Sequence, residues 1–148
     1  MSWSIESVRE AELAPAEVFS LYTDPSTWSS WGHMTRSALA DGPIVEGSVV
    51  KVQAAYRKTW DVLVQRLEPD RLIETEVRPP GLTVVQRFET TPTETGVRIR
   101  HEIEVSGWAE GFTRLTMRRR YQGLRDPVIA DLIVLASQRQ AGSVPSPA

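Results

Sequence analysis

A strict alternation of apolar and charged residues over 97–105 constrains the fold of this chain most strongly. One set of alternate positions holds Val97, Ile99, His101, Ile103 and Val105, and the other holds Arg98, Arg100, Glu102 and Glu104. Because successive side chains of a strand point to opposite faces, this pattern predicts a β-strand with one apolar and one charged face. His101 is therefore expected to point into the interior.

Turn residues divide the chain between Thr35 and Val105 at regular intervals, at 41–43, 46–47, 69–70, 79–81 and 91–96. Such spacing predicts an antiparallel meander. Within it, the segment 82–89 alternates in the same way as 97–105 and places Leu82, Val84, Gln86 and Phe88 on one face. Gln86 is expected to face the interior too.

The segments that flank the meander predict a first strand and several helices. Residues 3–13 predict the strand, Pro15 begins a short helix that ends near 24–25, and a second helical turn is expected within 25–33. After Gly107 the chain is expected to be helical to about Gln140. An apolar stripe runs along that helix, at Met117, Tyr121, Leu124, Val128, Leu132 and Leu135.

The end of this long helix carries two further expectations. Pro127 removes one backbone hydrogen bond, so a kink or a break is expected near 125–126. The tail 141–148 has little to bury and is expected to be mobile.

Composition narrows the classes of function. A length of 148 residues with 41% hydrophobic content predicts one domain over 1–140. A monomer and a homodimer both stay open. A net charge of −2 leaves no overall positive field for nucleic acid or anionic lipid. There is no cysteine, and the two histidines, His33 and His101, are too few to predict a metal site; no cofactor is expected either. The start of the chain lacks the features of a secretory signal, and no apolar run is long enough for a membrane span, so a cytoplasmic location is expected.

The order of strand, two short helices, about six strands and a long helix predicts an α+β domain, in which a curved sheet wraps around the terminal helix. With this order the chain resembles the START-like, Bet v 1-like (SRPBCC) superfamily, and within it the bacterial polyketide cyclase/dehydrase and lipid transport group. The resemblance covers roughly residues 3–138. It is carried by the segments 13–19 and 24–31, Gly42 with Gly47, the strand end at 67–69 and the late proline of the terminal helix.

This resemblance implies a helix-grip fold of about seven strands with a small-molecule cavity between sheet and terminal helix. It does not fix the chemistry, because the superfamily includes carriers, sensors, cyclases and proteins that assist other proteins. The leading hypothesis is a binder of a small hydrophobic molecule, such as a lipid, a polyketide or an aromatic metabolite. The alternative is a polyketide cyclase, aromatase or dehydratase, and an interaction module is a third possibility.

The candidate catalytic residues are His101 and Tyr121, which offer an imidazole and a phenol for acid-base work. The candidate ligand-binding residues are inward-facing or aromatic, namely Trp31, His33, Tyr56, Trp60, Gln86, Phe88, Met117, Leu124 and Val128. Trp108 offers a further flat aromatic wall. For His101 and the aromatic residues, ordinary core packing is the competing interpretation. The run 118–120 of three arginines predicts either a grip on a phosphate or carboxylate or a solvated basic face.

Overall fold

The computed structural model describes residues 2–32, 35–54, 58–116 and 118–143 of the chain. For 120–127, 142 and 143 it describes the backbone alone. These residues form seven antiparallel strands, which are β1 (Ser2–Ala11), β2 (Thr35–Leu39), β3 (Val49–Ala54), β4 (Thr59–Glu68), β5 (Leu72–Val77), β6 (Thr83–Pro92) and β7 (Val97–Ser106). Their order in the sheet is β1-β7-β6-β5-β4-β3-β2. The prediction of an antiparallel sheet of about seven strands is confirmed.

Two short helices lie between β1 and β2, as expected. Helix α1 (Pro15–Tyr22) has proline in its first turn, where a missing backbone N–H costs nothing. A single 3-10 turn (Pro25–Thr27) leads directly into α2 (Trp28–Trp31). The carboxylate of Asp24 caps this turn, because it accepts a hydrogen bond from the backbone N–H of Ser26 at 3.2 Å.

Strand β7 shows the alternation that its sequence predicts. Every second residue from Val97 to Val105 is buried, including His101, whereas the charged residues between them are partly or fully exposed. The registers extend this inner face to neighbouring strands, since His101 lies opposite Ser7 of β1 and Phe88 of β6, and Gln86 lies opposite Thr75 of β5. One face of the sheet is therefore the inner face, and the other carries the charges.

The C-terminal helices cover this inner face. They are α3 (Glu110–Thr116) and α4 (Arg118–Ser143). Val128, Leu132 and Ala136 of α4 belong to the same buried cluster as Phe88 and Ile99 of the sheet. In this half of α4, the stripe predicted for the terminal helix is buried at Val128 and Leu132 and partly buried at Leu135. Met117 lies outside the described residues, and so do the side chains of Tyr121 and Leu124.

Three details differ from the expectations. Strand β1 ends at Ala11 rather than at residue 13, because β7 begins opposite it at Val97 and leaves nothing further to pair. The break expected near 125–126 is not found, since α4 is helical through Pro127. The fully buried side chains of Ile129 and Leu132 anchor the helix just beyond the proline. Helix α4 also continues to Ser143, beyond the expected end at about Gln140.

We expect Leu132→Ala to lower the free energy of unfolding by about 2–5 kcal/mol, because Leu132 is fully buried and its removal leaves a cavity in the core. Val134→Ala is the matched control on the same helix. Val134 is 55% exposed, so its truncation should change stability by less than about 0.5 kcal/mol. Urea denaturation of both variants checks the prediction, and equal losses would contradict the assigned orientation of α4.

Candidate functional site

A row of polar side chains crosses the inner face of the sheet. It consists of Ser7 on β1, His101 on β7, Gln86 on β6 and Thr75 on β5. In the strand registers Ser7 lies opposite His101 and Gln86 lies opposite Thr75, whereas His101 reaches Gln86 diagonally, because Phe88 is its direct partner on β6. On one side of the row lies the main core beneath α1, α2 and α4. On the other lies a smaller apolar cluster of Trp3, Ile5, Val84, Ile103 and Val105. Since buried polar groups are costly unless they are hydrogen-bonded, this row is the part of the interior that needs a chemical explanation.

His101 is held by a stacked ring and one side-chain hydrogen bond. Its imidazole is 2% exposed and lies parallel to the ring of Phe88, with the ring centroids 4.1 Å apart. Its Nε2 lies 3.0 Å from Oε1 of Gln86. A carbonyl oxygen only accepts, so Nε2 carries the proton and donates it. Nδ1 is buried and has no partner among the described residues.

Burial lowers the pKa of His101 to about 4. The imidazole loses its hydration in an apolar interior, and this penalises the charged form. The ring is therefore neutral at neutral pH, with Nε2 donating to Gln86 and Nδ1 left as an unprotonated acceptor without a partner among the described residues.

Gln86 lies where the inner face becomes accessible. Its side chain is half-buried, and so are Trp60, Val62, Thr75 and Val77, which point to the same face from β4 and β5. We call these five residues the inner-face site. Val64 and Ile73, on the same face of the same strands, are buried. The inner-face site thus combines an aromatic and aliphatic wall with one amide and one hydroxyl, and none of its side chains is ionisable.

Two predicted ligand-binding residues lie instead in an aromatic core cluster. Trp31 is 6% exposed, and its indole N–H donates to Oγ1 of Thr27 at 3.1 Å. The rings of Trp31 and Tyr22 each lie 5.2 Å from that of Phe88. This cluster forms the support on which His101 stacks.

A buried hydrogen bond completes the cluster. The hydroxyl groups of Tyr22 and Thr90 lie 3.0 Å apart, and burial raises the pKa of Tyr22 well above its usual range. The sequence pattern did not predict Tyr22 or Thr90 as a site residue, because Tyr22 lies within the short helix expected from Pro15.

The other predicted site residues fall in three places. Trp60 belongs to the inner-face site, and Nζ of Lys58 lies 5.7 Å from its ring centroid. Val128 is buried in the core under α4. His33 and Tyr56 lie outside the described residues, as do Met117 and the side chains of Tyr121 and Leu124. Thr75, Val62 and Val77 were not predicted, because their place beside Gln86 depends on strand register.

The outer face of the sheet carries a network of ion pairs. Arg87 lies at their centre, with its guanidinium 2.9 Å from Glu74, 2.6 Å from Glu102 and 3.1 Å from Glu104. Farther along this face, a groove of about 540 Å³ lies over β4 and β5. Most of its lining side chains point outward, among them Asp61, Leu63 and Glu76, so it is not the cavity predicted between sheet and helix.

The fold and the inner face define a helix-grip protein of the SRPBCC, Bet v 1-like class. The family model described as polyketide cyclase/dehydrase and lipid transport matches residues 2–132. The chain belongs to this family. No curated protein matches it in sequence.

Solved structures with the same fold come from varied proteins. A Mesorhizobium loti protein, MLL2253, is 22% identical with a TM-score of 0.68, and the match covers 92% of this chain and 98% of that one. The di-domain aromatase/cyclase StfQ of steffimycin biosynthesis is 11% identical with a TM-score of 0.75, over 95% of this chain and 52% of that one. A norcoclaurine synthase variant from Thalictrum, in complex with a transition-state analogue, is 9% identical with a TM-score of 0.70, over 95% and 97%. At these identities the likeness concerns the fold.

The helices of the described residues include none with the length and apolar character needed to cross a bilayer.

The low pKa of His101 predicts a pH dependence of stability. The unfolded chain binds a proton at His101 below about pH 6.5, whereas the folded protein does so only below about pH 4. Stability should therefore fall as the pH drops through this window, by up to about 3 kcal/mol from this residue. Carboxylates also titrate there, so the measurement compares wild type with His101→Gln in urea denaturation between neutral pH and about pH 4.5. The wild type should lose more stability than the variant, and parallel curves would contradict a buried neutral imidazole.

Proposed function

We propose that this protein binds a neutral, largely apolar small molecule at the inner-face site, with the side-chain amide of Gln86 donating a hydrogen bond to an acceptor such as a ligand carbonyl. His101 is a positioning residue in this proposal. The observation that carries it is the hydrogen bond from buried His101 to half-buried Gln86, which fixes the amide at the accessible part of the inner face.

Hydrogen-bond accounting supports the proposed role of Gln86. Oε1 accepts from His101, and the amide nitrogen, with two N–H donors, has no hydrogen bond to another described side chain. A donor at the edge of an apolar surface favours a ligand with an acceptor at that point. His101 itself is too buried for direct contact with a ligand in this conformation.

The character of the surrounding residues supports a neutral ligand. Trp60, Val62 and Val77 offer apolar area, and burial of such area contributes roughly 25 cal/mol per Å² before the entropy cost of binding. A charged ligand group would lose its hydration here without an opposite charge among the five residues of the inner-face site. The family's description, which includes lipid transport and polyketide chemistry, is consistent with ligands of this kind.

Acid-base catalysis by His101, as in a cyclase or dehydratase, is the competing function. The di-domain neighbour StfQ is an aromatase/cyclase by its own description. An imidazole with a pKa of about 4 is, however, a weak base at neutral pH. Its burial also keeps it from a reacting atom, so the geometry favours binding over proton transfer through this residue.

A pair of probes that differ in one carbonyl tests the proposal. Acetylnaphthalene offers a ketone oxygen, and ethylnaphthalene has a similar shape without it. We expect Gln86→Leu to weaken ketone binding by roughly fivefold or more, the value of one hydrogen bond of about 1 kcal/mol, and to leave hydrocarbon binding almost unchanged. Gln53→Leu is the matched control, because Gln53 lies between two buried inner-face residues of β3 and therefore points outward. Isothermal calorimetry provides the affinities.

The role of His101 is tested by a double-mutant cycle with the same two probes. His101→Phe retains a stacking ring but releases Gln86, so it should weaken ketone binding as Gln86→Leu does, and the double variant should lose little more. Equal affinities of wild type and Gln86→Leu for the ketone would contradict the proposal, and so would no binding of either probe. If His101→Gln instead lowered turnover of a poly-β-ketone thioester by about 10²-fold with binding intact, the catalytic alternative would hold.

A further inference from the structure

Helix α3 turns its polar residues inward and its apolar residues outward. Glu110 and Thr113 are buried against the sheet, and Oγ1 of Thr113 accepts a hydrogen bond from the indole N–H of Trp3 at 3.3 Å. On the outside, Phe112 is 72% exposed and Leu115 is 86% exposed. This is the reverse of the arrangement expected for a helix that only covers a core.

Trp108 extends this apolar surface into the turn before the helix. It is 88% exposed, four residues before Phe112, and Phe112 and Leu115 lie three residues apart on one face of the helix. We call Trp108, Phe112 and Leu115 the α3 patch. A backbone hydrogen bond links the start of the patch to the loop at Gly81, because the N–H of Ala109 donates to the carbonyl oxygen of Gly81 at 3.1 Å.

Gly81 is what allows Trp108 to lie against the loop beneath it. It has a φ of +77°, and a Cβ atom at this position would lie 2.8 Å from the indole ring. Any other residue would therefore push the ring away. The tryptophan is therefore exposed and lies over the backbone of Gly81.

Positive charge directly follows the α3 patch. Arg118 and Arg119, in the first turn of α4, are both exposed. The one carboxylate of α3, Glu110, is already paired with Arg114 at 3.0 Å. Although the whole chain carries a net charge of −2, this end of the molecule presents two arginines beside three large apolar side chains. Apolar side chains next to arginines complement a surface with an apolar interior and an anionic boundary.

We propose that the α3 patch docks on an anionic lipid bilayer, with Trp108, Phe112 and Leu115 in the interface and Arg118 and Arg119 at the headgroups. Aromatic and leucine side chains beside arginines are typical of segments that lie in a membrane interface. A protein partner fits less well, because three side chains bury on the order of 500 Å², whereas a stable protein interface needs about 800 Å² per partner. The docking proposal does not depend on the inner-face site.

Co-sedimentation with vesicles tests the proposal. One set of vesicles contains phosphatidylcholine alone, and the other contains an added share of phosphatidylglycerol. The wild-type protein should bind the anionic vesicles, and less so when the salt is raised from about 0.1 M to about 0.5 M. Phe112→Ser with Leu115→Ser should weaken this binding by roughly tenfold or more. Arg118→Glu with Arg119→Glu should weaken it on anionic vesicles and leave the small binding to neutral ones unchanged.

The control is a pair of exposed apolar residues elsewhere, Val45→Ser with Val49→Ser, which are 56% and 48% exposed in the wild type. These changes should leave vesicle binding intact, and circular dichroism checks that every variant is folded. Failure of the wild type to bind anionic vesicles would overturn the proposal, as would equal losses in the patch and control variants. Sedimentation equilibrium that shows a dimer abolished by the Phe112 and Leu115 changes would also overturn it, because a second copy would then cover the patch.

Discussion

The hydrogen bond from His101 to Gln86 determines what the inner face of this protein offers. The imidazole is buried against Phe88, and this burial keeps it neutral. Its N–H therefore donates a hydrogen bond to the carbonyl oxygen of Gln86 rather than to water. Gln86 is consequently oriented by a group that is itself buried. Its carbonyl oxygen is occupied, and its two N–H donors are left at the border between the packed core and the half-buried wall around Trp60.

The two faces of the sheet differ in polarity, because the outer face is charged and the inner face is mostly apolar. On the outer face, Arg87 binds three carboxylates from the two strands that flank its own, β5 and β7, which neutralises charges that strand alternation brings together. On the inner face, α4 covers one end, and the polar row through His101 divides the remaining apolar surface. Helix α3 departs from this division, since its apolar side chains face outward. The inner face and the α3 patch are therefore two separate apolar surfaces with separate proposed partners.

The sequence predicted those features that depend on local pattern. The period of two in 97–105 placed His101 inward, and the same period placed Gln86 inward on the preceding strand; both expectations match the structure. Their partnership was not predictable, because it requires the register between two strands. Trp31 and Phe88, which were predicted as ligand contacts, are buried in the core cluster. This burial was not predictable, because composition does not separate a core aromatic residue from one that lines a cavity. The orientation of α3 was missed because the stripe was followed only from residue 117 onward.

The central claim, that Gln86 is the polar contact of a ligand held by His101, is tested most directly by nuclear magnetic resonance of the Gln86 side-chain amide. Protein labelled with ¹⁵N would be titrated with acetylnaphthalene and then with ethylnaphthalene. We expect the ketone to shift both amide protons of Gln86 downfield, and the hydrocarbon to move them much less while it still shifts Trp60. An unchanged Gln86 amide in the presence of bound ketone would contradict the account.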